Sequence, residues 1–269
     1  MPPIDGVYVR LEHHHGGMVA ELVLDRPGAL NALSSAMADQ LVAACGELSR
    51  EPAVRAAVVS SSSERAFCAG ADLKERARMS DAELVAQRPV MRAAFEAVRA
   101  IEAPVIAAVA GYALGGGLEL ALSCDLIVAD ETAELGLPEV AVGLVPGGGG
   151  TQLLSRRAGP GLAADLILTA RRMAAAEAHR LGLVDRLVGA GGARSAALQL
   201  AMEVAANSPT AVKAAKRALR LGADAGLPAA LEVEDAAWRA AAASAERAEG
   251  IRAFAEKRRP SWRPAGPAG

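Results

Sequence analysis

The chain has 269 residues, of which 52% are hydrophobic, so it is long enough to bury one large core or one core with an appendage. Its 29 basic and 31 acidic residues give a formal net charge of −2, which excludes a global electrostatic argument for binding nucleic acid or a membrane surface. Aromatic residues make up only 3% of the chain, so the core must be built mainly from Ala, Val and Leu.

The cysteines and the hydropathy pattern indicate the compartment. Cys45, Cys68 and Cys124 lie in apolar segments without metal-ligand spacing. An odd number of cysteines at such positions indicates reduced thiols and predicts a cytoplasmic protein. No apolar run reaches the length of a membrane span, and the N-terminus shows no signal-peptide pattern, so we expect no membrane association.

The chain begins with a predicted β-hairpin. Val7, Val9 and Leu11 alternate with other residues, and Met18–Leu24 is a second apolar run. The intervening His13–His15 triplet lies in an apparent turn and has no partner ligands nearby in the sequence. We therefore expect no native metal site there, given the ligand geometry that zinc needs.

Helices and strands alternate after the hairpin. Ser34 or Ser35 caps a helix with an apolar stripe over residues 37–48, and residues 56–59 form a strand. Ser80 and Glu83 fit a capping box, which predicts a further helix start. Pro89 is expected to break or kink that helix before a second segment that ends near residue 100.

A glycine-rich turn follows the next buried strand. The apolar run Val105–Ala110 leads into Gly111–Glu119, with the sequence GYALGGGLE and a helix start. Consecutive glycines let backbone N–H groups approach a bound group closely, and a helix start adds unsatisfied donors and partial positive charge. No Lys follows, as a phosphate loop would require, and no dinucleotide fingerprint fits. The stretch predicts an oxyanion site beside Glu119, with a simple packing turn as the alternative.

The remaining strands lead to an all-helical end. Residues 125–129 and 184–188 are predicted strands, Glu139 follows Pro138, and four glycines precede a helix over residues 151–158. From about Ser195 the chain becomes Ala-rich, with Ser208 as an N-cap. We expect an α/β domain over residues 1–195 and a helical C-terminal region over 196–269. Four basic residues at helical spacing are interpreted as a solvated face: Lys213, Lys216, Arg217 and Arg220.

Five motifs carry a resemblance to a known family. They are Arg26–Leu33, Phe67–Lys74, Gly111–Leu120, Leu137–Gln152 and Phe254–Arg258, and they span nearly the whole chain. In content and order they resemble the enoyl-CoA hydratase/isomerase (crotonase) superfamily, most like an enoyl-CoA hydratase. The resemblance implies an α/β fold, a crotonase-like spiral of ββα units with an all-helical C-terminal trimerisation region. It also implies a homotrimer or a dimer of trimers.

The resemblance further implies an acyl-CoA thioester substrate, with coenzyme A as part of the substrate and no separate cofactor. In the family, two backbone N–H groups hold the thioester oxygen, and the motifs assign these donors to Ala69 and Gly116. The residues implied in substrate and CoA binding are Ala29, Leu30, Ala32, Ala69, Gly70, Ala71, Asp72, Leu73, Gly115, Gly116, Pro138 and Glu139.

Two glutamates decide among the reactions of the superfamily. In its hydratases one Glu follows the three glycines by two positions and another follows twenty residues later, as Glu119 and Glu139 do here. The resemblance implies that Glu119 orients and deprotonates water while Glu139 delivers a proton to Cα. The two roles could also be exchanged or shared, because the protons of such a pair belong to a coupled system.

The expected reaction is addition of water across the 2,3 double bond of a 2-enoyl-CoA to give a 3-hydroxyacyl-CoA. Enoyl-CoA isomerisation is an alternative, since an isomerase can operate with the later Glu alone. Residues 69–80 also look somewhat like the AU-binding methylglutaconyl-CoA hydratase subgroup, which suggests methylglutaconyl-CoA hydration as another alternative and RNA association as a binding function. The nearly neutral charge balance argues against nucleic acid as a partner.

Overall fold

The computed structural model describes residues 6–14 and 17–262. The strands in this part of the chain are β1 (Gly6–His14), β2 (Gly17–Asp25), β3 (Val54–Ser61), β4 (Ala66–Cys68), β5 (Val105–Val109), β6 (Tyr112–Leu114), β7 (Leu126–Asp130), β8 (Glu134–Gly136), β9 (Met173–Ala174) and β10 (Arg186–Val188). The side chains of the His13–His15 triplet lie outside the described residues, so the expectation about metal binding there stays a prediction.

The helices in the described ranges alternate with these strands and then follow one another to the end. They are α1 (Ser35–Ser49), α2 (Leu73–Arg76), α3 (Asp81–Ala100), α4 (Gly116–Leu122), α5 (Gly150–Ala158), α6 (Pro160–Thr169), α7 (Ala175–Arg180), α8 (Ala193–Ala205), α9 (Pro209–Gly222), α10 (Leu227–Ala242) and α11 (Ala245–Ala255). Two 3₁₀ turns, Pro27–Ala29 and Pro138–Val142, lie between them. No helix of the described chain has the length and apolar character needed to cross a membrane.

The larger sheet has the strand order β1-β2-β3-β5-β7-β10 and is buried on both faces at its centre. β1 and β2 pair antiparallel, whereas β2, β3, β5, β7 and β10 run parallel. Val59 and Ala107 face the main core, which includes α1 and α3, while Val58 and Ile106 face α8. Burial on both faces explains why β3 and β5 read as continuous apolar runs.

The smaller sheet has the order β4-β6-β8-β9 and brings separate parts of the chain together. β4, β6 and β8 are parallel, and each follows a strand of the larger sheet by a short connection. Because parallel strands end at the same edge of a sheet, the segments after Cys68, Leu114 and Gly136 lie side by side. These segments carry most of the residues that the motifs assigned to the site.

The helix signals of the sequence are confirmed, except at Pro89. Ser34 accepts a hydrogen bond from the Met37 N–H, and the Ser80–Glu83 capping box is formed. However, Pro89 lies inside the continuous helix α3. Pro89 and Val85, four residues before it, lie on the exposed side of α3, where water can satisfy the carbonyl that loses its donor.

The interpretation of the α9 basic residues as a solvated face is wrong for Lys216 and Arg220. Lys216 is 8% exposed, and its Nζ lies 2.7 Å from the Ile101 and Ala103 carbonyl oxygens and from Asp125 Oδ2. Burial lowers the pKa of Lys216, and the Asp125 carboxylate opposes that shift. Arg220 also pairs with Asp125, at 2.8 Å, so these contacts fasten α9 to the segments that precede β5 and β7. The division into residues 1–195 and 196–269 stays a prediction.

Candidate active site

The end of β4 leads directly into a loop that packs on the glycine turn. Gly70 in this loop has φ +99°, and a Cβ at this position would lie 2.8 Å from the Leu114 carbonyl oxygen and 3.5 Å from the Gly116 nitrogen. Only glycine permits both this conformation and this approach. The structure thus brings together two segments that are separated by more than forty residues in the sequence.

Two backbone N–H groups converge where these segments meet. Gly116 is the first residue of α4, so its N–H has no acceptor within the helix. Ala71 forms a parallel bridge with Leu33 in which the Leu33 N–H binds Gly70 O and the Asp72 N–H binds Leu33 O. The Ala71 N–H has no acceptor among the described residues, and a Cβ on Gly116 would lie 3.7 Å from its nitrogen.

The assignment of Ala69 as an oxyanion donor is corrected by this geometry. The Ala69 N–H donates to the Leu30 carbonyl oxygen at 3.0 Å, so it already has an acceptor within the fold. Ala71, two residues further along, supplies the unpaired N–H that lies beside Gly116. The pair of donors in the structure is therefore Ala71 and Gly116.

Glu119 lies on the first turns of α4 and is 3% exposed. Its Oε1 accepts hydrogen bonds from the Gly148 N–H at 2.6 Å and from the Gly150 N–H at 2.8 Å. Burial raises the pKa of Glu119, although the two N–H donors act in the opposite direction. The structure therefore holds this carboxyl group in one orientation, with its second oxygen left for chemistry.

The glycine run Gly147–Gly150, which the sequence reading left without a role, forms the seat of Glu119. A Cβ on Gly150 would lie 3.0 Å from Glu119 Oε1 and 2.9 Å from the Pro146 Cβ. A Cβ on Gly148 would lie 2.3 Å from the Phe95 ring. Side chains at these positions would push the donors away from the carboxylate. The four glycines in sequence were the signal that could have identified this role.

Glu139 lies in the 3₁₀ turn Pro138–Val142 that follows β8. Within the described chain, its Oε2 is buried and has no hydrogen-bond partner. Burial raises the pKa of Glu139 to about 7, and the negative charge of Glu119 contributes to the increase. A Cβ on Gly115 would lie 3.0 Å from Glu139 Oε1, so this acid is adjacent to the glycine turn. Glu139 thus contacts the glycine turn, and Glu119 lies one turn along the helix that begins at Gly116.

The predicted binding segment Ala29–Ala32 is held by a buried asparagine that sequence reasoning missed. Asn31 is fully buried, and its Nδ2 donates to Ser61 Oγ at 2.7 Å and to the Phe67 carbonyl oxygen at 3.1 Å. Its Oδ1 accepts from the Arg26 N–H at 2.7 Å. Leu30 and Asn31 both have positive φ, a conformation that asparagine tolerates better than most residues.

Asp72 has a structural role at the other predicted binding segment. It caps α2 by accepting from the Lys74 and Glu75 N–H groups, and its Oδ2 lies 2.7 Å from Arg26 Nη1. Burial alone would raise the pKa of Asp72, but the hydrogen bonds from Arg26 and the backbone lower it overall. Leu73 is 56% exposed and Pro138 half-buried, so both lie at the rim. The described side chains contain no cluster of three or more His, Cys, Asp or Glu that could hold a metal ion.

Comparisons with known proteins identify the family of this chain. A family profile described as Enoyl-CoA hydratase/isomerase matches residues 14–265. The chain belongs to the enoyl-CoA hydratase/isomerase family. The family's short-chain-enoyl-CoA hydratase of Clostridium acetobutylicum is 38% identical over 243 residues, which cover 90% of this chain and 93% of the relative.

Further members of the enoyl-CoA hydratase/isomerase family are similarly close. The human enoyl-CoA hydratase domain-containing protein 2, mitochondrial, is 41% identical over 248 residues, which cover 91% of this chain and 85% of the relative. The crystal structure of the enoyl-CoA hydratase of Bacillus anthracis superposes with a TM-score of 0.92 at 38% identity. That match covers 96% of this chain and 99% of the other, which confirms the crotonase-like fold with its helical C-terminal region.

Proposed function

We propose that this protein is an enoyl-CoA hydratase, which adds water across the 2,3 double bond of a 2-enoyl-CoA to give a 3-hydroxyacyl-CoA. The observation that carries the proposal is the pair of buried carboxyl groups, Glu119 and Glu139, beside the unpaired N–H groups of Ala71 and Gly116. The names of the relatives support the same reaction class.

The two N–H groups would act on the thioester carbonyl. The carbonyl oxygen accepts hydrogen bonds from Ala71 and Gly116, and α4 directs its N-terminus at the same point. Attack at Cβ moves the electrons of the double bond toward this oxygen, which gains negative charge. Fixed donors stabilise that charge more in the transition state than in the bound substrate, which lowers the barrier.

The two glutamates would move the protons. Glu119 orients the water and accepts its proton as the water oxygen bonds to Cβ. Glu139 gives a proton to Cα, so both atoms of the former double bond are saturated. A pKa of about 7 suits Glu139 to this donor role, because a large share of the group is protonated at neutral pH.

The direct test measures loss of the conjugated double bond with crotonyl-CoA and with longer and branched enoyl-CoAs, methylglutaconyl-CoA included. Turnover of one class to the 3-hydroxyacyl product supports hydration and identifies the preferred acyl chain. Conversion of a 3-enoyl-CoA to the 2-enoyl isomer without hydration would favour the isomerase alternative. Failure with the whole series would contradict both reactions.

The rate of hydration is expected to follow a bell-shaped pH profile. The raised pKa of Glu119 belongs to a base that must be ionised, so kcat/KM should fall as the pH drops below it. The raised pKa of Glu139 belongs to an acid that must be protonated, so kcat/KM should fall as the pH rises through about 7. Initial rates across pH 4–10, with an enzyme stability check at each pH, measure both limbs. A flat profile over that range would contradict the assigned roles.

We also infer a homotrimer or a dimer of trimers. Large apolar side chains on the C-terminal helices are exposed in the single chain, among them Leu227 at 71%, Trp238 at 68% and Phe254 at 88%. Exposed apolar surface of this kind is typical of a protein interface. Light scattering at micromolar concentration should give the mass of three or six chains. A mass of one chain under those conditions would rule out the proposed assembly.

The remaining expectations concern nucleic acid and the compartment. We propose that RNA is not a partner, since Asp125 pairs with Lys216 and Arg220, two of the four basic residues of α9. A cytoplasmic location remains our proposal, supported by three free, buried cysteines. The human relative carries the word mitochondrial in its name, so fractionation of the source cells is the appropriate measurement.

A further inference from the structure

Arg88 on α3 contacts the glycine run that holds Glu119. Its Nη1 donates to the Gly147 carbonyl oxygen at 2.5 Å, and a Cβ on Gly147 would lie 2.1 Å from the same nitrogen. The next residue, Gly148, and then Gly150 donate their N–H groups to Glu119 Oε1. The guanidinium group is thus connected to the carboxylate through one short piece of backbone.

This piece of backbone has no side chains of its own to fix it. Four successive glycines have wide conformational freedom, so the direction of their N–H groups must be set by neighbours. Arg99, also on α3, lies 3.5 Å from the Gly148 carbonyl oxygen, a longer contact than that of Arg88. Arg99 Nη1 also donates to Ser123 Oγ at 3.2 Å, which divides its donors between two elements.

The charges around Glu119 come from two elements. Arg88 and Arg99 face it from α3, and Glu139 faces it from the 3₁₀ turn Pro138–Val142. Burial raises the pKa of Glu119, whereas the positive charge of Arg88 lowers it. The charge of Arg88 therefore favours the ionised form of Glu119, and its hydrogen bond to Gly147 holds the loop that orients this carboxylate.

We propose that Arg88 is a positioning residue for hydration, which fixes the Gly147–Gly150 backbone and favours the ionised, correctly oriented Glu119 carboxylate. This inference rests on the proposed hydratase function. Arg88 does not touch the reacting atoms in the arrangement proposed here; it acts through the glycine backbone and through its charge. Its exposed position leaves it free to be substituted without opening the core.

The test compares Arg88→Gln with Arg92→Gln, a matched loss of charge one turn further along α3. Arg92 pairs with Glu96 on the exposed face and contacts no part of the glycine run. For Arg88→Gln we expect kcat to fall about tenfold with little change in KM, the pattern of a transition-state effect. The acid limb of the profile should move up by about half a pH unit, because a nearby positive charge favours a carboxylate. Arg92→Gln should change neither quantity, and Arg88→Lys should restore the acid limb.

A second readout needs no turnover. Carbon-13 NMR of glutamate-labelled protein, with Glu119 assigned by its loss in Glu119→Gln, gives the titration midpoint of this carboxyl group directly. The midpoint should rise in Arg88→Gln and stay in place in Arg92→Gln. An unchanged midpoint would overturn the inference, as would a lower kcat with an unmoved acid limb. Wild-type protein that fails to hydrate any enoyl-CoA would instead refute the proposed function, and the midpoint would still decide the role of Arg88.

Discussion

Glu119→Gln and Glu139→Gln are each expected to lower kcat by on the order of 10²–10⁴, the usual contribution of a positioned acid or base. Each substitution removes a proton-transfer group but keeps the size and shape of the side chain. Binding of the acyl-CoA should change little, because neither carboxyl group holds the coenzyme portion in the proposed arrangement. Steady-state kinetics with the preferred enoyl-CoA, together with calorimetry on a non-reacting acyl-CoA, would separate kcat from binding.

The structure supplies a reason to expect that both variants fold. The amide oxygen in Glu119→Gln can accept the same hydrogen bonds from the Gly148 and Gly150 N–H groups that the carboxylate accepts. In the folded protein the pKa of Glu139 is about 7, above the ordinary value of 4.5. The contribution of the neutral Glu139 side chain to the free energy of unfolding is therefore lost as the pH rises through about 7. An amide does not ionise, so the Tm of Glu139→Gln should equal or exceed that of the wild type above pH 7.

The pH profiles of the two variants assign the roles. Glu119→Gln should lose the acid limb of the residual activity, and Glu139→Gln should lose the basic limb. Exchanged limbs would mean that the two glutamates have exchanged roles, an outcome that a coupled pair permits. Near-wild-type hydration by either folded variant would remove that residue from the mechanism.

Local sequence patterns predicted much of this molecule because their physical causes are local. At the caps, the Ser34 and Ser80 side chains each accept a hydrogen bond from a backbone N–H only three residues further along the chain. The strands β3 and β5 are continuous apolar runs because α8 covers the second face of the sheet. The pair Glu119 and Glu139 followed from the spacing of motifs, and the structure brings both beside the same glycine turn.

Other features depend on tertiary contacts that no local pattern records. Whether Ala69 or Ala71 offers a free N–H is decided by the bridge to Leu33 and by the Leu30 carbonyl oxygen. Lys216 has the sequence surroundings of a surface residue, but three acceptors from two other segments converge on its ammonium group. The smaller sheet, whose strands have two or three residues, is too short to give a periodic signal.

The neighbouring glycines Gly116 and Gly117 provide the second large expected effect. A Cβ on Gly116 would meet the Leu33 side chain at 3.5 Å, the Phe95 ring at 3.6 Å and the Ala71 nitrogen at 3.7 Å, all ordinary contacts. The φ of Gly116 is not positive, so its backbone conformation is also open to alanine. A Cβ on Gly117 would lie 1.9 Å from the Cys68 carbonyl oxygen, which the backbone cannot accommodate without moving.

Gly116→Ala should therefore keep its Tm and lower kcat by on the order of 10²-fold, comparable to the loss of an oxyanion donor. Its methyl group would lie 3.7 Å from the Ala71 nitrogen, close to the place that the proposed mechanism gives to the thioester oxygen. Gly117→Ala should lower the Tm strongly, and its activity should fall only as far as the folded fraction falls. Thermal unfolding and kcat, measured side by side, distinguish the two glycines. If a stable Gly116→Ala protein retained full activity, the oxygen would not bind between these two donors.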